Sequence, residues 1–211
     1  LVVNSLKCNN HMVIFNYIIG EKMKKIIMGA ALAASLLSIH LSADMYVGID
    51  MLSSKNTFTV DVNGLGSASV DDDSKAFKLK IGSSNSDGWR YQGYYLRETY
   101  DVPVFDATND ALNEIGLDVI KGFEVTPEFS PFLQAGFGIG SMSINGYSES
   151  SILEYNLKVG AGLMYKITQS IEAIVGADYQ YRAWQDIQVG TVTISTSEKS
   201  TKLYAGLNYH F

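Results

Sequence analysis

The last ten residues place the strongest constraint on how this chain can fold. Between Lys202 and Phe211, apolar and polar residues alternate strictly, which is the pattern of a β-strand with two different faces. The apolar face consists of Leu203, Ala205, Leu207, Tyr209 and Phe211. Such a strand at the edge of a soluble sheet would invite aggregation. A closed barrel in lipid requires it, because one face meets acyl chains and the other faces the lumen.

The beginning of the chain predicts a secretion signal. A positively charged segment starts at Met23, an apolar run of 16 residues follows from Ile26 to Leu41, and small residues up to Ala43 offer a cleavage site. A membrane-spanning helix needs about 20 apolar residues, so this run is short for one. We therefore expect residues 23–43 to form a signal-peptide helix. Residues 1–22 are expected to be an upstream extension that is not part of the native protein.

The composition of residues 44–211 excludes several classes of function. This part has 12 Lys plus Arg against 21 Asp plus Glu, a net charge of −9, which argues against a nucleic-acid partner. It contains no cysteine, so neither a disulfide framework nor a cysteine metal site is expected, and we predict no cofactor. No stretch approaches 18 consecutive apolar residues. Short alternating runs rich in glycine and aromatic residues instead favour an all-β domain.

Eight alternating segments can be identified, and most are about long enough to cross a bilayer at a tilt. They are Met45–Leu52, Ala76–Gly82, Trp89–Tyr100, Asn113–Gly122, Pro131–Met142, Glu154–Lys166, Ser170–Arg182 and Lys202–Phe211. Their connections are alternately long and short, with the long ones at 53–75, 101–112, 143–152 and 183–200. Outer-membrane barrels have short periplasmic turns and longer external loops. The sequence therefore predicts an eight-stranded, antiparallel, up-and-down transmembrane β-barrel over residues 44–211.

Two motifs carry a family resemblance. Residues 130–140, SPFLQAGFGIG, and residues 159–163, VGAGL, resemble consecutive strands of the OmpA/OmpX family of outer-membrane barrels. The ending Tyr209-His210-Phe211 resembles the assembly signal of such proteins. The resemblance implies a place in the Gram-negative outer membrane, with lipid, lipopolysaccharide and the barrel-assembly machinery as partners. We expect the chain to lack the periplasmic domain of many OmpA proteins.

In this register, twelve charged side chains point into the lumen, six of each sign. They are Asp50, Lys78, Lys80, Arg90, Glu98, Glu114, Asp118, Lys158, Glu172, Asp178, Arg182 and Lys202. An eight-stranded barrel is just wide enough for side chains to fill it, and buried charges are costly unless paired. A salt-bridged core that closes the lumen is the favoured interpretation. A polar path for ions or small solutes is the alternative.

Other candidate sites are weaker. Within residues 44–211 the single histidine, His210, is near the predicted periplasmic end, so no surface acid–base site is available and we predict no enzyme activity. The acidic triplet at 71–73 is expected to be a solvated loop tip rather than a Ca²⁺ site, because it lacks alternating ligands. Lys55 and Arg97 are expected near lipid phosphates. Trp184 is expected either to fold over the barrel mouth or to present a partner-binding strand.

The sequence thus predicts a small outer-membrane barrel with a structural or surface-interaction role, which displays its loops to an extracellular ligand. A narrow, porin-like channel is the alternative function.

Overall fold

The computed structural model describes residues 44–63, 66–103, 105, 111–145, 150–190 and 192–211. These residues form nine β-strands: β1 (Asp44–Val62), β2 (Gly66–Ser84), β3 (Trp89–Tyr100), β4 (Ala111–Gly122), β5 (Phe129–Ser143), β6 (Ser151–Lys166), β7 (Ile171–Trp184), β8 (Ile187–Val189) and β9 (Val192–His210). The predicted upstream extension and signal peptide lie outside the described residues. The described residues include no helix that is long and apolar enough to cross a membrane.

The strands close into a barrel. Each of β1 to β7 is antiparallel to its neighbour, and β9 pairs with both β7 and β1. At this seam Ile49 lies opposite Leu207, and the Phe211 N–H donates to the Met45 carbonyl at 3.0 Å. The short strand β8 pairs only with β9. Eight long strands therefore make the wall, and the predicted fold is confirmed.

The two faces of the wall have opposite character. Along β9, Lys202, Tyr204 and Asn208 are buried, whereas Leu203 and Leu207 are exposed on the outside. The same alternation on the other strands gives the barrel an outward apolar belt. Exposed aromatic residues lie near the strand ends, as expected for interfacial girdles: Trp89, Tyr165, Tyr209 and Phe211 at the end with the short turns, and Tyr155 and Tyr181 at the other end.

Two predicted loops are wrong, because the strands continue through them. Residues 53–75 were expected to form a loop, but β1 and β2 pair as far as Val62 and Gly66. Residues 183–200 contain β8 and the first half of β9. Outward side chains here are Ser, Thr, Lys and Asp, such as Thr57 and Asp71, because water replaces lipid beyond the belt. The hydrophobic alternation that marks the membrane part therefore ends although the strands do not.

The strands of the barrel wall continue beyond the belt as an extension of the same sheet. This extension consists of β8, residues 192–200 of β9, residues 53–62 of β1 and residues 66–75 of β2. We call it the extracellular sheet, since the opposite end carries the chain's described termini and the short turns expected in the periplasm.

Candidate functional site

The lumen contains all twelve charged residues that the sequence placed there, and each is 8% exposed or less. Strand pleating explains this placement, since alternate residues of every strand face the same side. The charged side chains fall into three groups along the lumen.

The group nearest the extracellular sheet surrounds Arg182, which lies near the end of β7 and is completely buried. A guanidinium has five N–H donors in a planar fork. Its contacts are Nε with Glu154 (3.1 Å), Nη1 with Glu198 (2.8 and 3.0 Å) and Tyr100 (2.6 Å), and Nη2 with Glu98 (3.1 Å) and Glu114 (2.7 Å). We call these six residues, together with Lys202, the Arg182 cluster. One cation thus joins four carboxylates from four other strands.

Further hydrogen bonds hold the carboxylates of this cluster in place. Lys202 Nζ lies 2.6 Å from Glu98 Oε2, and Ser74 donates to the other oxygen of Glu98 at 2.6 Å. Tyr94 donates to Glu114 at 2.6 Å. Charge-assisted hydrogen bonds of this kind are the strong ones, and here they fix each carboxylate toward the same guanidinium.

The middle group is built from separate pairs. Asp50 lies between two lysines, 2.5 Å from Lys80 and 3.2 Å from Lys78. On the opposite wall, Lys158 lies 2.9 Å from Asp118. Asp178 accepts a hydrogen bond from Gln134. We call this the Asp50 cluster; its charges are spread over several strands and share no single residue.

The third group lies at the periplasmic end. Arg90 makes two parallel hydrogen bonds to Glu172, at 2.6 and 2.8 Å, and Asn208 donates to the same carboxylate at 2.9 Å. His210 Nε2 is 3.7 Å from this carboxylate. His210 is the one histidine of the described residues, and its neighbours are Glu172 and the Tyr46 ring, 5.4 Å away. None of these contacts supplies a nucleophile.

Three buried carboxylates were missed by sequence reasoning. Glu154 follows the inward parity of Asn156 and Lys158, so extending the alternation by one step would have found it. Asp72 and Glu198 lie in stretches that were predicted to be loops. With them, nine buried carboxylates face inward together with six buried cations, so the equal balance expected from the sequence is wrong.

An apolar layer covers the Arg182 cluster on its extracellular side. It consists of Phe58, Tyr100, Leu112, Met142, Ile144, Ile152 and Trp184, with Phe105 and Ile187 against it. Trp184 is 5% exposed, packs edge-on against Phe105 at 4.9 Å and donates to Glu198 at 3.3 Å. The first expectation for Trp184, that it folds over the barrel mouth, matches this position. We call this layer the apolar plug.

Glycines on the inner face make room for the long polar side chains. A Cβ at Gly138 would lie 2.6 Å from Tyr94 Oη, 2.7 Å from Asn156 Nδ2 and 2.9 Å from Glu114 Oε1. No side chain fits there without moving hydrogen-bonded neighbours of the Arg182 cluster. The inner-face glycines therefore leave space that the polar side chains of neighbouring strands occupy.

The acidic triplet is not a solvated loop tip. Residues 71–73 lie within β2, where Asp73 pairs with Lys55 at 2.8 Å and Asp71 accepts from Thr57 at 2.8 Å. The hydrogen bond from Lys55 to Asp73 and the charge of Asp73 raise the pKa of Lys55. The expectation that Lys55 faces lipid phosphate is thus replaced by a pair within the sheet. Within the described part of the chain, no cluster of His, Cys, Asp and Glu has the arrangement of a metal site.

No protein-family model and no curated protein sequence matches the chain. Solved structures do match it. Neisserial surface protein A (NspA) is 25% identical, covering 79% of this chain and 97% of that protein, with a TM-score of 0.53. OprG, an outer membrane protein of Pseudomonas aeruginosa, is 12% identical over 82% of this chain and 97% of its own, with a TM-score of 0.52, which is a likeness of fold alone.

The closed sheet, its apolar belt and these likenesses define a bacterial outer-membrane β-barrel protein. The chain has an eight-stranded antiparallel barrel fold, as NspA does, and is located in the outer membrane.

Proposed function

We propose that the protein is a surface-interaction barrel whose filled lumen anchors an extracellular sheet, and that this sheet binds an extended segment of a partner by strand addition. The observation that carries the proposal is the open edge of β2. The pairing of β2 with β3 begins at Ser74, and the last bond on that side joins Asp101 N–H to the Asp73 carbonyl. Among the described residues, nothing pairs with the backbone of residues 66–72 on this side.

The open edge offers backbone groups for a further strand. In an antiparallel ladder, alternate residues direct both N–H and C=O to the same neighbour. The backbone carbonyl of Asp73 faces β3. Ser67, Ser69 and Asp71 have the same parity as Asp73, so their backbone N–H and C=O groups face the open side. All of residues 66–71 are exposed. Strand addition to such an edge gives affinity through main-chain hydrogen bonds.

The charge beside this edge favours a basic partner. Asp71 and Asp101 are exposed there, and Asp72 is buried on the inner face. Asp72 Oδ1 accepts from the Val102 N–H at 3.2 Å, whereas its Oδ2 has no partner within the described residues. Burial raises the pKa of Asp72. A Lys or Arg on the added strand would satisfy this oxygen and the exposed carboxylates around it.

The remaining assignments follow from the same proposal. The lumen charge network serves as a closed, interlocking core, with the apolar plug above it. The outward residues Leu203, Ala205, Leu207, Tyr209 and Phe211 serve as the signal for the barrel-assembly machinery. Lipid and lipopolysaccharide surround the belt. NspA, which this chain resembles, is named as a surface protein, which supports a surface role. The expectation that the chain has no enzymatic activity is kept.

A pair of variants at Ser69 tests strand addition. Ser69→Pro removes an N–H that faces the open edge, whereas Ser69→Ala keeps it, so the two differ at the proposed contact. Peptides selected from a random displayed library against the barrel in nanodiscs are the probe. We expect basic, extended peptides that bind wild type and Ser69→Ala but lose binding to Ser69→Pro. A selection that yields no binder, or binders indifferent to Ser69→Pro, would contradict the proposal.

A narrow channel is the second candidate function, and one observation favours it. Several buried polar atoms in the lumen have no partner within the described residues, and unpaired groups of this kind are satisfied by water in many proteins. They include Ser54 Oγ, Asn56 Oδ1, Asn156 Oδ1, Gln180 Nε2 and Tyr204 Oη. A chain of waters along them would offer a path for ions. The apolar plug and the Arg182 cluster lie across that path. We therefore favour a surface-interaction barrel, whose filled lumen anchors the extracellular sheet, over a channel.

A further inference from the structure

A groove runs along the outer wall where β9, β1, β2 and β3 lie side by side. Its volume is about 650 Å³. Two rows of outward residues line it: Leu203, Ser53, Lys75 and Thr99 in one row, and Ala205, Met51, Phe77 and Arg97 in the next. The small side chains Ser53 and Ala205 leave the depression between larger neighbours. Its β9 and β1 side is apolar, and its β2 and β3 side carries two cations.

The height of the groove on the barrel limits what can fill it. Below it the outward residues Ile49 and Leu79 belong to the apolar belt. Directly above it lie Lys55 and Asp73, which are exposed and paired with each other. The groove therefore lies at the external boundary of the belt, where lipid acyl chains end and headgroups begin.

The two cations of the groove lack a carboxylate. Arg97 Nη1 donates to Asn113 Oδ1 at 3.2 Å, and within the described part of the chain this neutral contact is the only side-chain hydrogen bond of Arg97. Within the described residues Lys75 makes no ion pair, since the adjacent Asp73 is bound to Lys55. Cations at the membrane boundary gain most from an anion that they can hydrogen-bond, and the guanidinium fork suits phosphate.

We propose that this groove binds a phosphate-bearing lipid of the outer leaflet. One acyl chain lies against Met51, Phe77 and Leu203, and the phosphate meets Lys75 and Arg97. The occupant is a lipid because the groove opens onto the bilayer, and it is phosphorylated because of the two cations. The proposal is independent of strand addition. Strand addition uses the open backbone edge of β2 at residues 66–72, near the tip of the β1–β2 hairpin, whereas the groove lies on the outward face of the wall.

Retention of phosphorylated lipid A during purification tests this proposal. The chain is refolded in phosphatidylcholine vesicles containing diphosphoryl lipid A, extracted in mild detergent, and assayed for bound lipid. The variants are Lys75→Gln and Arg97→Gln, with Lys166→Gln at the periplasmic end of β6 as the matched control. We expect retention to fall about fivefold for each single variant and about thirtyfold for the double variant, with the control unchanged. Heat-dependent gel migration verifies that each variant is folded.

Four outcomes would overturn the proposal. Equal retention by the double variant and wild type would show that the cations are not used. Equal retention of dephosphorylated lipid A, or full displacement by free inorganic phosphate, would show that the groove does not recognise a lipid phosphate. A dimer that forms in wild type and disappears in the double variant would identify a second copy of the chain as the occupant. Since none of these readouts involves peptides, failure here leaves the Ser69 experiment unaffected.

Discussion

The Arg182 cluster and the Asp50 cluster place similar charges in the same lumen but organise them differently. In the first, four carboxylates converge on one guanidinium. In the second, Asp50 has two lysines and Asp118 has a lysine of its own. In the Arg182 cluster, the pairing of all four carboxylates depends on Arg182. In the Asp50 cluster, the pairing of the carboxylates depends on several different lysines. Tolerance of substitution should therefore depend on how the ion pairs are shared among residues, and not only on how many there are.

The difference also concerns the balance of charge. The Arg182 cluster has four carboxylates against Arg182 and Lys202, so negative charge is in excess. Removing a partner from a buried pair leaves an uncompensated charge, which costs more than the pair itself contributes. In this cluster, loss of the cation and loss of a carboxylate should thus have very different effects.

Replacement of Arg182 should have the largest effect. Arg182→Met leaves four buried carboxylates with Lys202 alone, and we expect a loss of at least about 3–5 kcal/mol of unfolding free energy. Urea unfolding of the barrel in lipid vesicles, followed by gel migration, measures this loss. Arg182→Lys keeps the charge but has three donors instead of five, so its stability should be intermediate. Wild-type stability in Arg182→Met would refute the dependence on one residue.

Replacement of Lys80 should have a smaller effect. Lys80→Met leaves Asp50 with Lys78 at 3.2 Å, so the carboxylate remains paired. We expect a loss of about 1–3 kcal/mol in the same unfolding experiment. A loss as large as that of Arg182→Met would mean that the two clusters are equally vulnerable, and the comparison would fail.

Replacement of Glu154 should change stability little. Glu154→Gln removes one of the excess negative charges and keeps an oxygen that can accept from Arg182 Nε. We expect the unfolding free energy to stay within about 1 kcal/mol of wild type or to rise. If Glu154→Gln destabilised the barrel as strongly as Arg182→Met, the inference that this cluster has an excess of negative charge would be contradicted.

Replacement of Lys55 should have the smallest effect. Its pair with Asp73 is exposed to water, and exposed ion pairs contribute little because solvent screens them. Lys55→Ala should leave the urea midpoint unchanged within error. A fall comparable to that of Lys80→Met would show that the extracellular sheet, and not only the lumen, controls barrel stability.

Much of the barrel could be predicted because lipid imposes a simple rule on its wall. Within the belt, every second side chain must be apolar, so parity alone placed Arg182 and Lys202 inside. The contacts between them could not be predicted in this way. Which carboxylate meets Arg182 depends on how strands that are distant in sequence are staggered around the barrel, and parity does not contain that information.

The extracellular sheet was missed for a related reason. Around Thr57 and Ser197 both faces of the strands lack the apolar alternation, because the outer face meets water. Glu198 and Trp184 belong to the buried layers at this end, yet they lie in a stretch whose outward residues resemble a loop. Alternation of hydrophobicity thus finds strands where lipid touches them and fails where the same strands continue into water.

The sealed lumen is tested most directly by planar-bilayer recording of the refolded protein. If the Arg182 cluster and the apolar plug close the barrel, wild type should give no reproducible single-channel steps in symmetric salt solution, whereas Arg182→Met combined with Trp184→Ala should show openings if it still inserts. Regular steps of uniform conductance from wild-type protein would contradict a closed lumen and establish the channel instead.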